Sequence, residues 1–371
     1  MRGSTKAVAW LAIGITAWAS APAAQTNSEV LAGLHAPDGL RVTVFAEGLP
    51  GIRFMALGPD DQIYATIMGK GQVVRLLDRD ANGRCDKVEV VASGLDLPHG
   101  IAFFGGALWV AETGRVIKYP GFRADQPLPK PVVVVPNLPK RGAHVTRSIE
   151  FNTAKREFYV SVGSSCNVCV EKDPRRAAVL RYNFDGSGEQ IFARGMRNAV
   201  GLAMRPGSYE LWATNNERDL LGDDVPPEEI VNILERGADY GWPYCYGNRI
   251  PNPEFDDAER CRETRLPAIT DTAHSAPLGC VFYTGRNFPL EYVGDFFVAY
   301  HGSWNRSVPT GYKVVRVRVK DGKPVAIEPF LTGFRRDGKV FGRPVDVEVG
   351  RDGALYVSDD HGGRVFRVFS G

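Results

Sequence analysis

ALYVSDD, residues 354–360, is an apolar run around one aromatic that ends in small and acidic residues, and five other stretches repeat its cadence. They are QIYAT around Tyr64, ALWVAE around Trp109, EFYVSVG around Tyr159, ELWATNN around Trp212 and DFFVAYHG around Phe297. With Tyr356 the markers recur at intervals of about 45 to 60 residues, with one of about 85, and a four-stranded propeller blade takes roughly 40 to 50. One blade cannot bury both of its faces, whereas neighbours around a ring can. Helix signals are nearly absent. Alternating Val, Ile, Tyr, Phe and Trp dominate, broken by Asp-Gly turns at Gly186, Gly322 and Gly353. The expectation is an all-β chain folded as a six-bladed β-propeller.

Upstream of each cadence sits a cation or histidine: Arg53, His99, His144 or Arg147, Arg197, His274 and Arg343. In a propeller the innermost strands start at one face, so these six motifs would surround one mouth. A lone Arg or His near a turn is ordinarily structural. Six placements of one chemistry instead predict a small polyanionic ligand.

The first residues set the compartment. Met1 to Lys6 is short and basic, Ala7 to Ala19 is apolar, and Ala21-Pro22-Ala23-Ala24 offers a cleavage site. Residues 1–24 read as a signal peptide and 25–371 as one catalytic domain, periplasmic or secreted; a retained anchor is the alternative. The mature chain carries 43 acidic residues against an equal number of basic ones. It has no cationic run for nucleic acid and no second apolar stretch to span a membrane. Six cysteines suit an oxidising compartment. Cys166 and Cys169 read as a local disulfide, since no histidine follows for haem. Cys245 and Cys261 would form a second bridge, or would join the first pair around zinc. Cys85 and Cys280 have no evident partner. Residues 244–272, rich in Pro, Asp and Arg, read as an inserted binding loop.

The most specific local motifs are Arg197-Asn198-x-x-Gly201, YGWP at 240–243, SSCNVC at 164–169, AHSAPLG at 273–279, HGSWNR at 301–306 and RPVDV at 343–347. With these motifs the chain, from about Gly39 to Phe369, resembles the soluble pyrroloquinoline quinone (PQQ) dependent glucose/sorbosone dehydrogenases, closest to the L-sorbosone dehydrogenase-like branch. The resemblance implies a propeller with PQQ over the channel mouth and a sugar or sugar aldehyde as substrate. His144 would be the general base that takes the hydroxyl proton as hydride leaves for the quinone. An imidazole titrating near working pH suits that task. Arg197 would polarise the quinone oxygen. Asn198 and Arg343 would hold the cofactor, with Arg53 and His274 beside them, while His99 and Arg147 read as blade packing. The resemblance also implies Ca²⁺ held by main-chain carbonyls, here those of Arg218 and Asp219. Two departures touch the substrate: His274 stands where the glucose branch has a small hydroxyl residue, and that branch's cofactor lysine has no counterpart near His301. Without a Cys-x-x-Cys-His motif, electrons would leave to an external acceptor, a cytochrome or a quinone.

Asp78, Asp80, Asn82, Asp86 and Glu89 match the donor spacing of a calcium-binding loop with Gly83 at its turn. The strand-like flanks argue against an EF-hand and leave a structural Ca²⁺ or a plain hairpin turn. Two other functions compete with the dehydrogenase: a metal-dependent lactonase-like propeller and a non-catalytic binding propeller. A lactonase would need carboxylates around a metal at the mouth, and the ring read from the sequence is basic.

Overall fold

The computed structural model describes residues 25–255 and 257–371, so the expected signal peptide lies outside the described residues. Six sheets follow one another along the chain, at residues 52–92, 100–135, 149–194, 202–271, 277–331 and 344–370, here blades I to VI, antiparallel except where the short strand Ala238–Asp239 joins blade III in parallel. Blade VI takes its fourth strand from the other end of the chain: Leu40–Ala46 pairs antiparallel with Arg364–Ser370, starting from Leu40 opposite Ser370. Joining the two chain ends in one sheet closes the ring. The first strands of the blades touch in sequence around an axis, I to VI and back to I. The protein is a six-bladed β-propeller.

The repeated cadence is the second strand of each blade: Ile63–Ile67, Ala107–Glu112, Glu157–Val162, Leu211–Asn215, Phe296–Tyr300 and Leu355–Asp359. Every residue in these six strands is buried. Flanking strands and blades cover both faces, which is why the runs are continuously apolar rather than strictly alternating. The marker aromatics join neighbouring blades. Tyr64 meets Phe103 edge-on at 4.8 Å between centroids, Trp109 meets Phe151 at 5.1 Å and Trp212 meets Phe282 at 4.9 Å. Each such pair adds about 0.5–1.5 kcal/mol beyond its area burial.

The long fourth interval is only partly an insertion. It holds a short hairpin, Cys245–Tyr246 with Ile250–Pro251, and the helix Ala258–Glu263, but its end, Ile269–Asp271, is the fourth strand of blade IV. A strand of three residues is too short to show its period in the sequence. Both expected disulfides, Cys166–Cys169 and Cys245–Cys261, are formed, which removes the four thiolates that zinc would need. Cys85 and Cys280 are free. No described helix is long and apolar enough to cross a membrane.

Candidate active site

His144, Arg197, Asn198 and His274 converge on one cavity of about 150 Å³ at the propeller mouth. Arg197 and Asn198 lie in the turn between blades III and IV, and His144 precedes the first strand of blade III. Gly163, just past the second strand of that blade, lets His144 and Asn198 approach each other. A Cβ on it would lie 2.5 Å from Asn198 Oδ1 and 2.6 Å from the His144 Cβ.

The ring of His144 is oriented by its surroundings. Nδ1 lies 2.9 Å from the carbonyl oxygen of Ser164, an acceptor only, and 2.9 Å from its hydroxyl, which donates to the carbonyl of Cys166 at 2.6 Å. Nδ1 therefore carries the proton, and the lone pair sits on Nε2. Burial, reinforced by the Arg197 charge, lowers the pKa of His144 to about 3. The shift favours the neutral imidazole at working pH.

Arg197 is buried with all five N–H donors engaged. Nε donates to the Asn167 carbonyl, and Nη1 to the carbonyls of Glu217 at 2.7 Å and Asn216 at 3.4 Å. Nη2 bonds Asn167 Oδ1 and the Asp219 carboxylate, each at 2.9 Å. Its contribution to the cavity is therefore a fixed positive charge. His274 donates from Nε2 to the Gly222 carbonyl at 2.8 Å and stands at φ +66°, a backbone state seldom taken by a non-glycine and common around functional sites.

Two further expected residues form a group beside the cavity. Arg53 pairs with Asp360 at 2.6 Å, and Asp360 accepts from His301 at 2.9 Å. The Arg343 guanidinium rests on the carbonyls of His301 and Gly302 and near the Tyr312 ring, with no carboxylate among its described contacts, while its main-chain N–H donates to Asp359 at 2.8 Å. The segment His301 to Arg306 links this group to the cavity, where Asn305 donates to Asp219 at 3.1 Å. His99 and Arg147 are fully buried. His99 faces the Arg147 carbonyl and packs tilted against Phe54, and Arg147 serves the carbonyls of Pro139, His144 and Thr146.

The mouth is less basic than the sequence suggests. Glu217, Asp219 and Glu228 line the cavity, and Asp360 neutralises Arg53. Burial pushes Glu228 up to about 8, and burial with the neighbouring Glu229 raises Glu217 well above the ordinary carboxylate range. Burial thus favours the neutral form of both acids. Trp304, 71% exposed, and Asn305 also line the cavity, and Asn167 adjoins it through Arg197 and Asp219.

The calcium expectations fare unevenly. The Asp219 carbonyl accepts from the Asn167 amide and from Arg218 Nε, whereas the Arg218 carbonyl has no described partner. One of the two expected donors thus accepts hydrogen bonds, and the other is left without a described one. In the separate loop, Asp78, Asp80 and Asp86 bring carboxylate oxygens within 4.8 Å of one another. Asn82 Oδ1 accepts from the Arg84 amide. Glu89 lies on the following strand, bonded to Lys87 and facing Arg75. Glu89 is thus paired opposite Arg75 and is not among the three carboxylates that cluster in the loop.

Residues 34–370 match the TrAA12-like family. An uncharacterized protein of Borreliella burgdorferi is 30% identical over 356 residues, covering 92% of each chain. The pyrroloquinoline quinone-dependent pyranose dehydrogenase of Coprinopsis cinerea is 25% identical over 406 residues. That match covers 90% of this chain but 54% of the fungal one, so the chain spans about half of that relative. A Trichoderma reesei structure from Carbohydrate-Active Enzymes Family AA12 superposes with a TM-score of 0.80 at 22% identity, covering 91% of this chain and 98% of that one. The match to residues 34–370, nearly the whole propeller, makes this chain a member of the TrAA12-like family.

Proposed function

We propose that the protein is a PQQ-dependent oxidoreductase acting on a sugar or sugar aldehyde of the aldose or sorbosone type, with His144 as general base. One observation carries the reading: a neutral imidazole with its lone pair on Nε2 shares a cavity with the buried charge of Arg197 and the side chain of Asn198. The pyranose dehydrogenase among the relatives supports the cofactor and substrate class.

The residues present fit a planar tricarboxylate. The Arg343 guanidinium has no described carboxylate partner, and the Asn198 side chain, whose amide can donate, makes no described hydrogen bond. Arg343 and Asn198, with Arg53 and His274 beside them, would hold PQQ, which when bound supplies a two-electron acceptor for hydride. His144 takes the substrate hydroxyl proton on Nε2. An anionic ligand against the cavity would raise the basicity of that imidazole from its low ligand-free value. Arg197, locked by its acceptors, offers preorganised positive charge where negative charge develops. Exposed Trp304 leaves the rim open to a sugar and to an external acceptor such as a cytochrome or quinone.

Export to the periplasm or medium belongs to the same reading, on the strength of the leader and two disulfides. Ca²⁺ at Asp78, Asp80 and Asp86 would be structural; a second Ca²⁺ at the mouth would need the Asp219 carbonyl released from Asn167. A lactonase is disfavoured because the mouth acids are committed: Glu228 accepts the Glu217 amide, and Glu217 accepts from Asn215.

The test mixes purified protein with Ca²⁺ and PQQ and follows dye reduction against aldoses, sorbosone and polyols. PQQ-dependent reduction with at least one of them is expected. No such reduction, together with no quinone absorbance retained after gel filtration, overturns the reading.

A further inference from the structure

The Cys166–Cys169 bridge closes a small ring at the end of the second strand of blade III, and the residue inside it, Asn167, reaches across to the cavity. Asn167 makes four hydrogen bonds to the Arg197–Asp219 pair. Its carbonyl accepts Arg197 Nε at 3.0 Å, and its Oδ1 accepts Arg197 Nη2 and the Asp219 amide, each at 2.9 Å. Its Nδ2 donates to the Asp219 carbonyl at 3.1 Å. The same ring serves His144, because the Cys166 carbonyl takes the Ser164 hydroxyl proton and leaves that oxygen free to accept from Nδ1. Neither cysteine lines the cavity. The bridge is packed with Trp242, Tyr246 and Leu221, and Ser165 beside it is tied to Glu171.

We infer that Asn167 is a positioning residue for Arg197 and Asp219, held in place by the Cys166–Cys169 disulfide, so that the state of this bridge controls turnover. The inference rests on the proposed dehydrogenase reading. Without the bridge, residues 166–169 regain backbone freedom and four directed bonds lose their fixed origin. Loss of groups that orient a reacting set costs about tenfold to hundredfold. Opening the bridge breaks Sγ–Sγ and takes up two electrons and two protons to form two thiols. A phosphine reductant supplies the electrons and becomes its oxide with an oxygen atom from water.

The experiment treats the apo-protein with phosphine, desalts it without oxygen, and reconstitutes it with PQQ and Ca²⁺. Reduced wild type is expected to lose roughly tenfold or more of kcat, with the sugar KM within about twofold, and to recover on reoxidation. Cys166→Ala/Cys169→Ala should start equally low and ignore the reductant, which separates this bridge from Cys245–Cys261. Asn167→Ala, with the bridge intact, should show the same fall in kcat while retaining PQQ. Amide exchange at Asp219 should quicken in the reduced protein and in Asn167→Ala. Exchange needs no turnover, so it judges the inference even if wild type proves inactive with PQQ and the dehydrogenase reading fails by itself. Full kcat in Asn167→Ala, or unchanged exchange at Asp219 in that variant, overturns the inference.

Discussion

His144 turns Nδ1 toward Ser164, 2.9 Å from both its carbonyl oxygen and its hydroxyl, which leaves Nε2 as the basic nitrogen. His144→Ala should reduce dye reduction by about 10²- to 10⁴-fold with PQQ still retained, as expected for loss of a general base. Ser164→Ala removes one of two acceptors and should lower kcat by roughly tenfold. Steady-state kinetics with cofactor absorbance separates the two effects. A His144→Ala enzyme at full rate would remove the base from the mechanism.

Asp219 is the only carboxylate paired with Arg197 among the described residues. Asp219→Ala strands a buried guanidinium. The expected destabilisation is about 1–3 kcal/mol, below the ~3–5 kcal/mol for a fully enclosed pair because Asp219 is partly exposed. Denaturant unfolding measures it, and kcat should fall in parallel.

Gly163 has no room for a side chain between His144 and Asn198. Gly163→Ala should push these two apart and lower turnover by roughly tenfold to hundredfold. Dye reduction at saturating PQQ, with circular dichroism as a folding check, tests this.

Arg343 holds a charge with no described acidic partner. Arg343→Ala should weaken PQQ binding by about tenfold or more while kcat at saturating PQQ changes little. Titration of PQQ absorbance measures the affinity, and an unchanged affinity counts against Arg343 as a cofactor contact.

The axial channel carries its own pH signature. Burial raises Asp346 and Glu150 to about 7, and burial with Asp346 nearby raises Glu348 to about 8. The folded protein keeps protons that the unfolded chain releases near pH 4. This contribution is complete below that pH and is lost as pH rises through 7 to 8. Both glutamates are partly exposed to the channel, which moderates the effect. Glu348→Gln should therefore raise the thermal midpoint relative to wild type at pH 8.5 and leave it nearly unchanged at pH 5. His144 has the opposite sign: its low folded pKa withdraws stability as pH falls from 6.5 toward 3.

How much of this is legible before folding differs from residue to residue. The aromatic second strands announce six blades because each must be apolar on both faces, a local requirement that shows as a repeat. His144, Arg197, Asn198 and His274 are found by their place just before first strands. Asn216, Glu217 and Asp360 escape that search because they follow second strands, and Arg218, Asp219 and His301, which do too, are reached only through the family resemblance. Antiparallel pairing sets Leu202 opposite Ala213, Pro277 opposite Tyr300 and Pro344 opposite Asp359, and so returns those ends to the same mouth. Glu89 shows the reverse case: its spacing promises a ligand, and strand pairing commits it to Lys87 and Arg75 instead.

The sequence by itself determined the blade count and that the segments before the first strands share one mouth, because both follow from strand periodicity and order. Only the tertiary structure decided which cations there are already matched. Arg53 has Asp360 and Arg197 has Asp219, partners 307 and 22 residues away, whereas Arg343 has only carbonyls. Pairing and burial depend on distance in space. They set the charge and basicity of the site, and no spacing along the chain encodes them.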